Sequence, residues 1–233
     1  MKSQAPVMIE PDGAARKRYL VGVLIVLASE YLLRTVFLTG GTTSAHVGSA
    51  LVLEWVLLAL LLVVWVPRIE HRGMASIGFG HFKRRYLWLG ALAYSLATAV
   101  LTLTGFLLPL VGLQPISSLQ PMLQDLGLPV LLGLFVTGTF LEEVFYRGYL
   151  IERVISLTGR PWVAGAVSWL AFTLVHLVFF GLGPTIDVSV LSAALVFLYL
   201  KERSIWPCVV LHGLNNAFAY LIIPLLLNLQ PRV

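Results

Sequence analysis

The chain has 233 residues, of which 58% are hydrophobic and only 12% are charged, and its net charge is +5. A soluble chain this apolar could not cover its core with polar surface, and its apolar runs repeatedly reach the roughly 20 residues that cross a bilayer. The composition therefore excludes a sizeable soluble domain and predicts one all-α, multi-pass membrane domain. The single cysteine, Cys208, excludes an intrachain disulfide and a cysteine metal cluster.

The apolar runs predict a helical bundle of seven transmembrane helices. Their expected ranges are residues 19–38, 48–66, 86–111, 128–151, 162–180, 186–200 and 205–227. We expect residues 1–18 to form a disordered basic arm, residues 19–125 to form three N-terminal spans, and residues 126–228 to form four spans that carry the chemistry. No small-residue cleavage site follows a short apolar segment near the start, so the first helix is expected to be retained.

The basic residues indicate the orientation, because Lys and Arg accumulate in cytoplasmic loops. They fall in the N-terminal arm and in the second, fourth and sixth predicted loops, whereas the first, third and fifth contain none; Arg232 is the exception. This pattern predicts a cytoplasmic N-terminus and an external C-terminus in the cell membrane. Topology and contacts to anionic lipid headgroups then explain the positive charge, and no nucleic-acid partner is needed.

Polar residues inside the predicted spans are candidate functional groups, since each is costly in hydrocarbon. Glu30 and Arg34 are spaced four apart in the first span, which favours a neutralising pair with a structural role. Glu54 in the second span and Asp187 near a membrane interface receive no role from the sequence.

The fourth span contains the segment "LEEVFYRG", which places three charged residues directly after an apolar run. Residues four apart share a helix face, so Glu143 can pair with Arg147, while Glu142 points elsewhere. The sequence therefore predicts different roles for the two adjacent carboxylates.

The fifth and seventh spans each contribute a histidine. The segment "FTLVH" places Phe172 and His176 on one helix face, and "HGLNN" places His212 and Asn216 on one face, with Asn215 turned aside. Buried polar groups need partners, so these groups and the carboxylates are expected to converge if the three helices pack together.

Two chemistries fit this set of groups. A carboxylate beside a neutral imidazole can activate water as a general base, while a second imidazole and a carboxamide donate to an oxyanion. Alternatively, Glu142, His176 and His212 are ligand types of a catalytic zinc site. The spacing does not decide between them, since no H-E-x-x-H helix is present and the histidines come from different spans.

Three motifs occur in order in the C-terminal half: Glu-Glu-x-x-x-Arg, Phe-x-x-x-His and His-x-x-x-Asn. Together they resemble the CPBP family, also called Abi, of intramembrane proteases and bacteriocin-immunity proteins, which includes the type II CAAX prenyl endopeptidases. The resemblance covers residues 142–216, with each motif on a predicted span. It implies a metal-free, glutamate-dependent endopeptidase that acts on a membrane-associated protein or peptide.

The resemblance also implies individual roles. Glu142 would be the catalytic base, His176 would help it to activate water, and His212 and Asn216 would form the oxyanion site. The supporting residues would be Glu143, Arg147 and Phe172. No cofactor is expected in this interpretation.

Three alternatives remain open from the sequence. They are a zinc-dependent version of the same protease, a non-catalytic binding or immunity protein, and a proton-coupled transporter, although no internal symmetry typical of a transporter is visible.

One expected distance is in conflict with the protease hypothesis. At about 1.5 Å per residue, the predicted span ends put His176 roughly 10 Å from the level of Glu142, so helix tilt or a different helix boundary must bring them together.

Overall fold

A computed structural model of the chain describes residues 12–39, 43–115, 123 and 126–228. Over these residues the protein is helical and contains no β-strand, which confirms the all-α prediction. The long helices are α1 Gly13–Thr39, α2 Ser44–Ile69, α3 Arg85–Leu110, α4 Leu128–Thr158, α5 Pro161–Phe180, α6 Leu182–Glu202 and α7, residues 206–228. A short 3-10 helix, Met74–Ile77, lies between α2 and α3.

Helices α2 to α6 have the properties of membrane spans. Within the described ranges these five are long and apolar enough to cross a membrane. Large apolar side chains face outward from them, including Trp88, Phe106 and Phe197, as expected for surface in contact with lipid tails. The chain is therefore a membrane protein. That α1 and α7 also span the membrane, and that the termini have the predicted orientation, remain predictions.

Helix α4 lies at the centre of the bundle. Its residues 141–151 are all buried, and α1, α5, α6 and α7 pack around them. A helix that is buried on every side belongs to the core of a bundle and not to its lipid-facing surface. The charged segment that the sequence places on α4 therefore lies inside the protein, where each charge needs a protein partner.

The turns of α4 are widened around Glu142. Residues Thr137–Leu141 and Glu143–Leu150 make π-helical i→i+5 turns on either side of this residue. Such turns are rare and often occur at functional sites. Two further π-helical stretches, Leu60–Ile69 and Phe218–Ile222, lie in α2 and α7.

Helix α4 continues to Thr158, well beyond the end at residue 151 that the sequence predicts. Gly159 then ends it with a positive φ of 69°, which favours glycine, and Pro161 starts α5 within two residues. The prediction was wrong here because it ended the span where the charged residues Glu152 and Arg153 begin. In the structure Arg153 is buried and finds its partners inside the protein.

A polar cluster at the end of α2 explains how Arg153 is accommodated. Glu70 Oε2 accepts from Arg153 Nε at 2.8 Å, and its Oε1 accepts from the hydroxyl of Tyr149 at 2.6 Å and from Trp65 Nε1 at 3.1 Å. Arg153 also donates to the carbonyl and the hydroxyl of Ser76. The cluster joins α2, the 3-10 helix and α4, and so fixes α4 at one end.

The beginning of α1 also differs from the prediction. The helix starts at Gly13, where the sequence predicted an unstructured arm as far as residue 18. The Asp12 carboxylate accepts from the backbone N–H of Ala15 at 2.6 Å, and this contact satisfies a helix N–H that would otherwise lack a partner. Residues 1–11 of the predicted arm lie outside the described residues.

The remaining polar residues of the spans are partly explained. Glu30 is buried and accepts from the hydroxyl of Tyr146 at 3.4 Å, whereas the predicted pair with Arg34 involves a side chain that the structure does not describe. Asp187 is buried in the second turn of α6 and accepts from the hydroxyl of Thr104 on α3.

Candidate active site

The three sequence motifs lie on helices that are packed against one another. Helix α4 contacts both α5 and α7, and the motif residues on all three helices are buried. The ring of Phe172 lies between the two histidines, with centroids 4.4 Å from His176 and 6.2 Å from His212. The convergence that the sequence predicted is therefore present.

The observed helix ends reduce the expected depth difference between His176 and Glu142. Glu142 precedes and His176 follows the Gly159 turn by the same number of residues, and α4 and α5 run antiparallel from that turn. Ser168 on α5 donates its hydroxyl to the carbonyl of Tyr146 on α4 at 2.8 Å. This contact sets Phe172 at the level of Glu142 and His176 about one turn, roughly 5.4 Å, beyond it. Ending α4 too early therefore accounts for part of the expected gap.

Glu143 and Arg147 form the pair that their spacing predicted. Arg147 Nη1 donates to Glu143 Oε1 at 3.0 Å, and both side chains are fully buried. Arg147 Nη2 donates to the hydroxyl of Ser192 on α6 at 3.0 Å, and the guanidinium lies 4.3 Å from the centre of the Phe172 ring. The arginine is therefore held by three helices.

Glu143 has a second contact that sequence reasoning missed. His212 donates its Nδ1 hydrogen to Glu143 Oε1 at 2.7 Å, so one carboxylate oxygen accepts from both the arginine and the histidine. An ionised carboxylate only accepts, which places the proton on Nδ1 of His212. The opposite ring nitrogen, Nε2, lies 3.9 Å from Glu142 Oε2.

His176 is oriented by its own helix. Its Nδ1 donates to the backbone carbonyl of Phe172, one turn earlier, at 2.7 Å. This bond assigns the Nδ1 tautomer and makes Nε2 the nitrogen that can exchange a proton. In both histidines Nδ1 is thus used for orientation, and Nε2 is the atom suited to chemistry.

Asn216 is held at both ends of its amide. Its Nδ2 donates to the hydroxyl of Thr139 on α4 at 3.4 Å, and its Oδ1 accepts from Asn215 Nδ2 at 3.3 Å. The amide lies close to the backbone of Gly138, because a Cβ built there would meet Asn216 Nδ2 at 2.9 Å and Glu142 Oε1 at 4.0 Å. Asn216 is therefore near the Glu142 carboxylate.

Two residues that hold this site, Thr139 and Ser192, lie outside the sequence motifs. A third, Asn215, lies within "HGLNN" but was expected to be turned aside, whereas its side chain contacts Asn216. The position of Thr139, three residues before Glu142 on the same helix face, is a signal that could have identified it. No comparable signal identifies Ser192, because its contact depends on how α6 packs.

An open groove of about 580 Å³ lies between α2 and α4, with a mainly apolar lining. One of its lining residues is Thr137, whose hydroxyl accepts from Trp55 Nε1 at 2.9 Å. Thr137 and Thr139 therefore belong to the same π-helical stretch but have different partners, one on α2 and the other on α7.

The candidate site contains residue types that can bind a metal ion. Among the residues that the structure describes, no three His, Cys, Asp or Glu side chains are grouped as metal ligands. His212 Nε2 and Glu142 Oε2 are 3.9 Å apart, which is not far from the roughly 3.4 Å between two ligands of one tetrahedral zinc ion, so this separation alone does not exclude a shared metal.

Comparison with known proteins gives one family match. Residues 124–218 match the model of the type II CAAX prenyl endopeptidase Rce1-like family. No curated protein and no solved structure matches the chain significantly. The matched segment contains all three motifs and every side chain of the candidate site described above. The family match indicates an intramembrane protease. The match of residues 124–218 to a type II CAAX prenyl endopeptidase family is consistent with the resemblance of the three motifs to the CPBP family.

Proposed function

We propose that the protein is an intramembrane endopeptidase of the cell membrane that hydrolyses a peptide bond in a membrane-associated protein or peptide. The proposal assigns Glu142 as the base that activates water together with His176. It assigns Asn216 and His212 as the donors that stabilise the oxyanion. Glu143, Arg147 and Phe172 support these groups.

The difference between the two glutamates is the observation that carries the proposal. The Glu143 side chain is 0% exposed and already accepts from Arg147 and His212, whereas the Glu142 side chain is 12% exposed. A base must reach the water molecule that it deprotonates, and it must be placed beside groups that stabilise the product of attack. Of the two glutamates, Glu142 meets these conditions better, since its side chain is the more exposed one and lies near Asn216 and His212 Nε2.

The reaction follows from these positions. Glu142 takes a proton from water, and the hydroxide adds to the carbonyl carbon of the scissile peptide bond. The resulting oxyanion accepts from Asn216 Nδ2 and from the Nε2–H of protonated His212. Glu142 then returns its proton to the leaving nitrogen as the C–N bond breaks, which gives a carboxylic acid and an amine.

The charge of His212 is important in this scheme. Because Nδ1 carries the hydrogen that binds Glu143, donation from Nε2 requires the imidazolium form. Two carboxylate oxygens lie beside the ring: Glu143 Oε1 is 2.7 Å from Nδ1, and Glu142 Oε2 is 3.9 Å from Nε2. The positive charge of Arg147 offsets the negative charge of Glu143, which reduces the repulsion between the carboxylates of Glu142 and Glu143.

The experiment that tests the proposal compares protein termini in cells that express the wild-type protein or the Glu142→Gln variant. Terminal proteomics should reveal new C- or N-termini only with the wild type, and their sequences distinguish prenylated tails, sorting-signal tails and leader peptides. A purified substrate should then be cleaved by the purified protein. If both forms are present at equal amounts in the membrane and give equal sets of termini, Glu142 is not the base. If the same termini also appear in cells that lack the protein, it is a binding protein or a transporter and not a protease.

A further inference from the structure

We propose that Thr139 is a positioning residue that fixes the amide of Asn216 in the orientation needed to stabilise the oxyanion. The inference rests on the proposed function, in which Asn216 Nδ2 is an oxyanion donor. It concerns a residue outside the three sequence motifs, on the π-helical turn that precedes Glu142.

The hydrogen bonds around Asn216 match one of its two amide orientations. Asn215 Nδ2 donates to the Asn216 oxygen, and Thr139 Oγ1 accepts from the Asn216 nitrogen. If the Asn216 amide alone were reversed, two NH₂ groups would face each other at the Asn215 end. The nitrogen of Asn216 has a second hydrogen that Thr139 does not use, and this hydrogen can donate to the oxyanion.

Two glycines provide the close approach that this arrangement requires. A Cβ at Gly138 would stand 2.9 Å from Asn216 Nδ2, and a Cβ at Gly213 would stand 3.2 Å from the Thr139 methyl group. The methyl group of Thr139 is thus packed against α7 at Gly213, while its hydroxyl bonds to Asn216. Since the β-branched side chain has few χ1 choices, this packing also fixes the direction of the hydroxyl.

Loss of the Thr139 hydroxyl should lower the reaction rate and leave substrate binding unchanged. Removing an oxyanion donor lowers kcat by about 10²–10³, so releasing the donor without removing it should cost less, about tenfold. An interaction made mainly in the transition state lowers kcat while KM changes little. We expect this pattern for Thr139→Val, which keeps the shape of the side chain but loses the hydroxyl.

Thr137 provides a matched control. It lies two residues away, is also buried, and its hydroxyl binds Trp55 on α2 and not Asn216. Thr137→Val should therefore keep the wild-type kcat, although it also removes one buried threonine hydroxyl from the same helix segment. A second pair, Thr139→Ser and Thr139→Ala, differs by a hydroxyl alone, and serine should retain the higher kcat even if the valine variant folds poorly.

The test is a double-mutant cycle on cleavage of an identified substrate. Asn216→Ala and Thr139→Val should each lower kcat, and the double variant should be no slower than Asn216→Ala, because Thr139 acts only through the amide. A wild-type kcat for Thr139→Val beside an impaired Asn216→Ala would overturn the inference alone, and so would additive losses in the double variant. A wild-type rate for Asn216→Ala would contradict the oxyanion role in the proposed function and remove the inference with it.

Discussion

His212 and Glu143 are joined by a hydrogen bond of 2.7 Å between ring Nδ1 and carboxylate Oε1. The same oxygen accepts from Arg147 at 3.0 Å, and the other ring nitrogen of the histidine faces Glu142. Contacts therefore run from the arginine through Glu143 and the imidazole to the proposed base. Helical spacing alone suggests that Glu143 and Arg147 form a structural pair. In the structure Glu143 also orients the imidazole of His212 in the candidate active site.

The first prediction concerns the stability that Glu143 provides. Glu143→Gln keeps an oxygen that can accept from Arg147 and His212, but it removes the charge and leaves a buried cation without its counter-ion. Breaking a buried pair in this way costs about 3–5 kcal/mol. We expect the variant to lose a comparable free energy of unfolding in detergent and to lose activity as well.

The double variant Glu143→Gln with Arg147→Met separates these two effects. It should recover much of the stability, because no uncompensated charge remains, but little of the activity, because His212 still lacks its carboxylate. Arg84→Met is a suitable control, since this arginine is exposed and substitutions at the surface usually change the free energy of unfolding by less than about 0.5 kcal/mol. Full recovery of kcat in the double variant would show that His212 does not need Glu143.

The second prediction uses the polar cluster at Glu70 as a contrast. Glu70→Gln leaves Arg153 buried without a negative partner, so the free energy of unfolding should fall by about 3–5 kcal/mol. The cluster touches none of the candidate site residues, so kcat measured well below the melting temperature should not change. A fall in kcat of the folded variant would mean that the cluster positions the active-site segment of α4 as well as stabilising it.

The third prediction concerns metal. If Glu142 and His176 activate water directly, the purified protein should hold no stoichiometric zinc, and its cleavage rate should survive strong chelation. A zinc-activated water requires bound metal. One zinc per chain, removed together with activity and restored with it, would establish the metal mechanism instead.

The fourth prediction concerns orientation, and it begins from a variant without Cys208. A cysteine at Ser117, in the predicted third loop outside the described residues, should react with an impermeant thiol reagent added to intact cells. A cysteine at His81, in the predicted second loop, is the matched control and should react only after lysis. The opposite pattern would reverse the predicted orientation of the helices.

The sequence predicted most of the fold because long apolar runs with alternating basic loops identify membrane helices directly. It predicted the end of α4 poorly because Arg153 looks like a residue at the membrane surface. Only the position of Glu70, far away in the chain, shows that this arginine is buried and paired. Boundaries at charged residues depend on such tertiary partners and cannot be derived from hydropathy.

The candidate site shows the same limit. Helical spacing was sufficient to pair Glu143 with Arg147 and to place Phe172 beside His176, since both relations lie within one helix. The contact between Glu143 and His212, by contrast, joins two helices far apart in the sequence. Spacing within a helix carries no information on such a contact, because it depends on how α4 and α7 are rotated against each other.

The central claim is that Glu142, and not Glu143, is the base. The most direct measurement compares Glu142→Gln with the wild type for cleavage of an identified substrate, together with thermal melting of both proteins in the same detergent. Glutamine keeps the size and hydrogen bonding of the side chain but cannot accept the proton of water. We predict that Glu142→Gln melts close to the wild type and shows no cleavage. A Glu142→Gln protein that cleaves at the wild-type rate, beside a folded but inactive Glu143→Gln protein, would contradict this assignment and exchange the roles of the two glutamates.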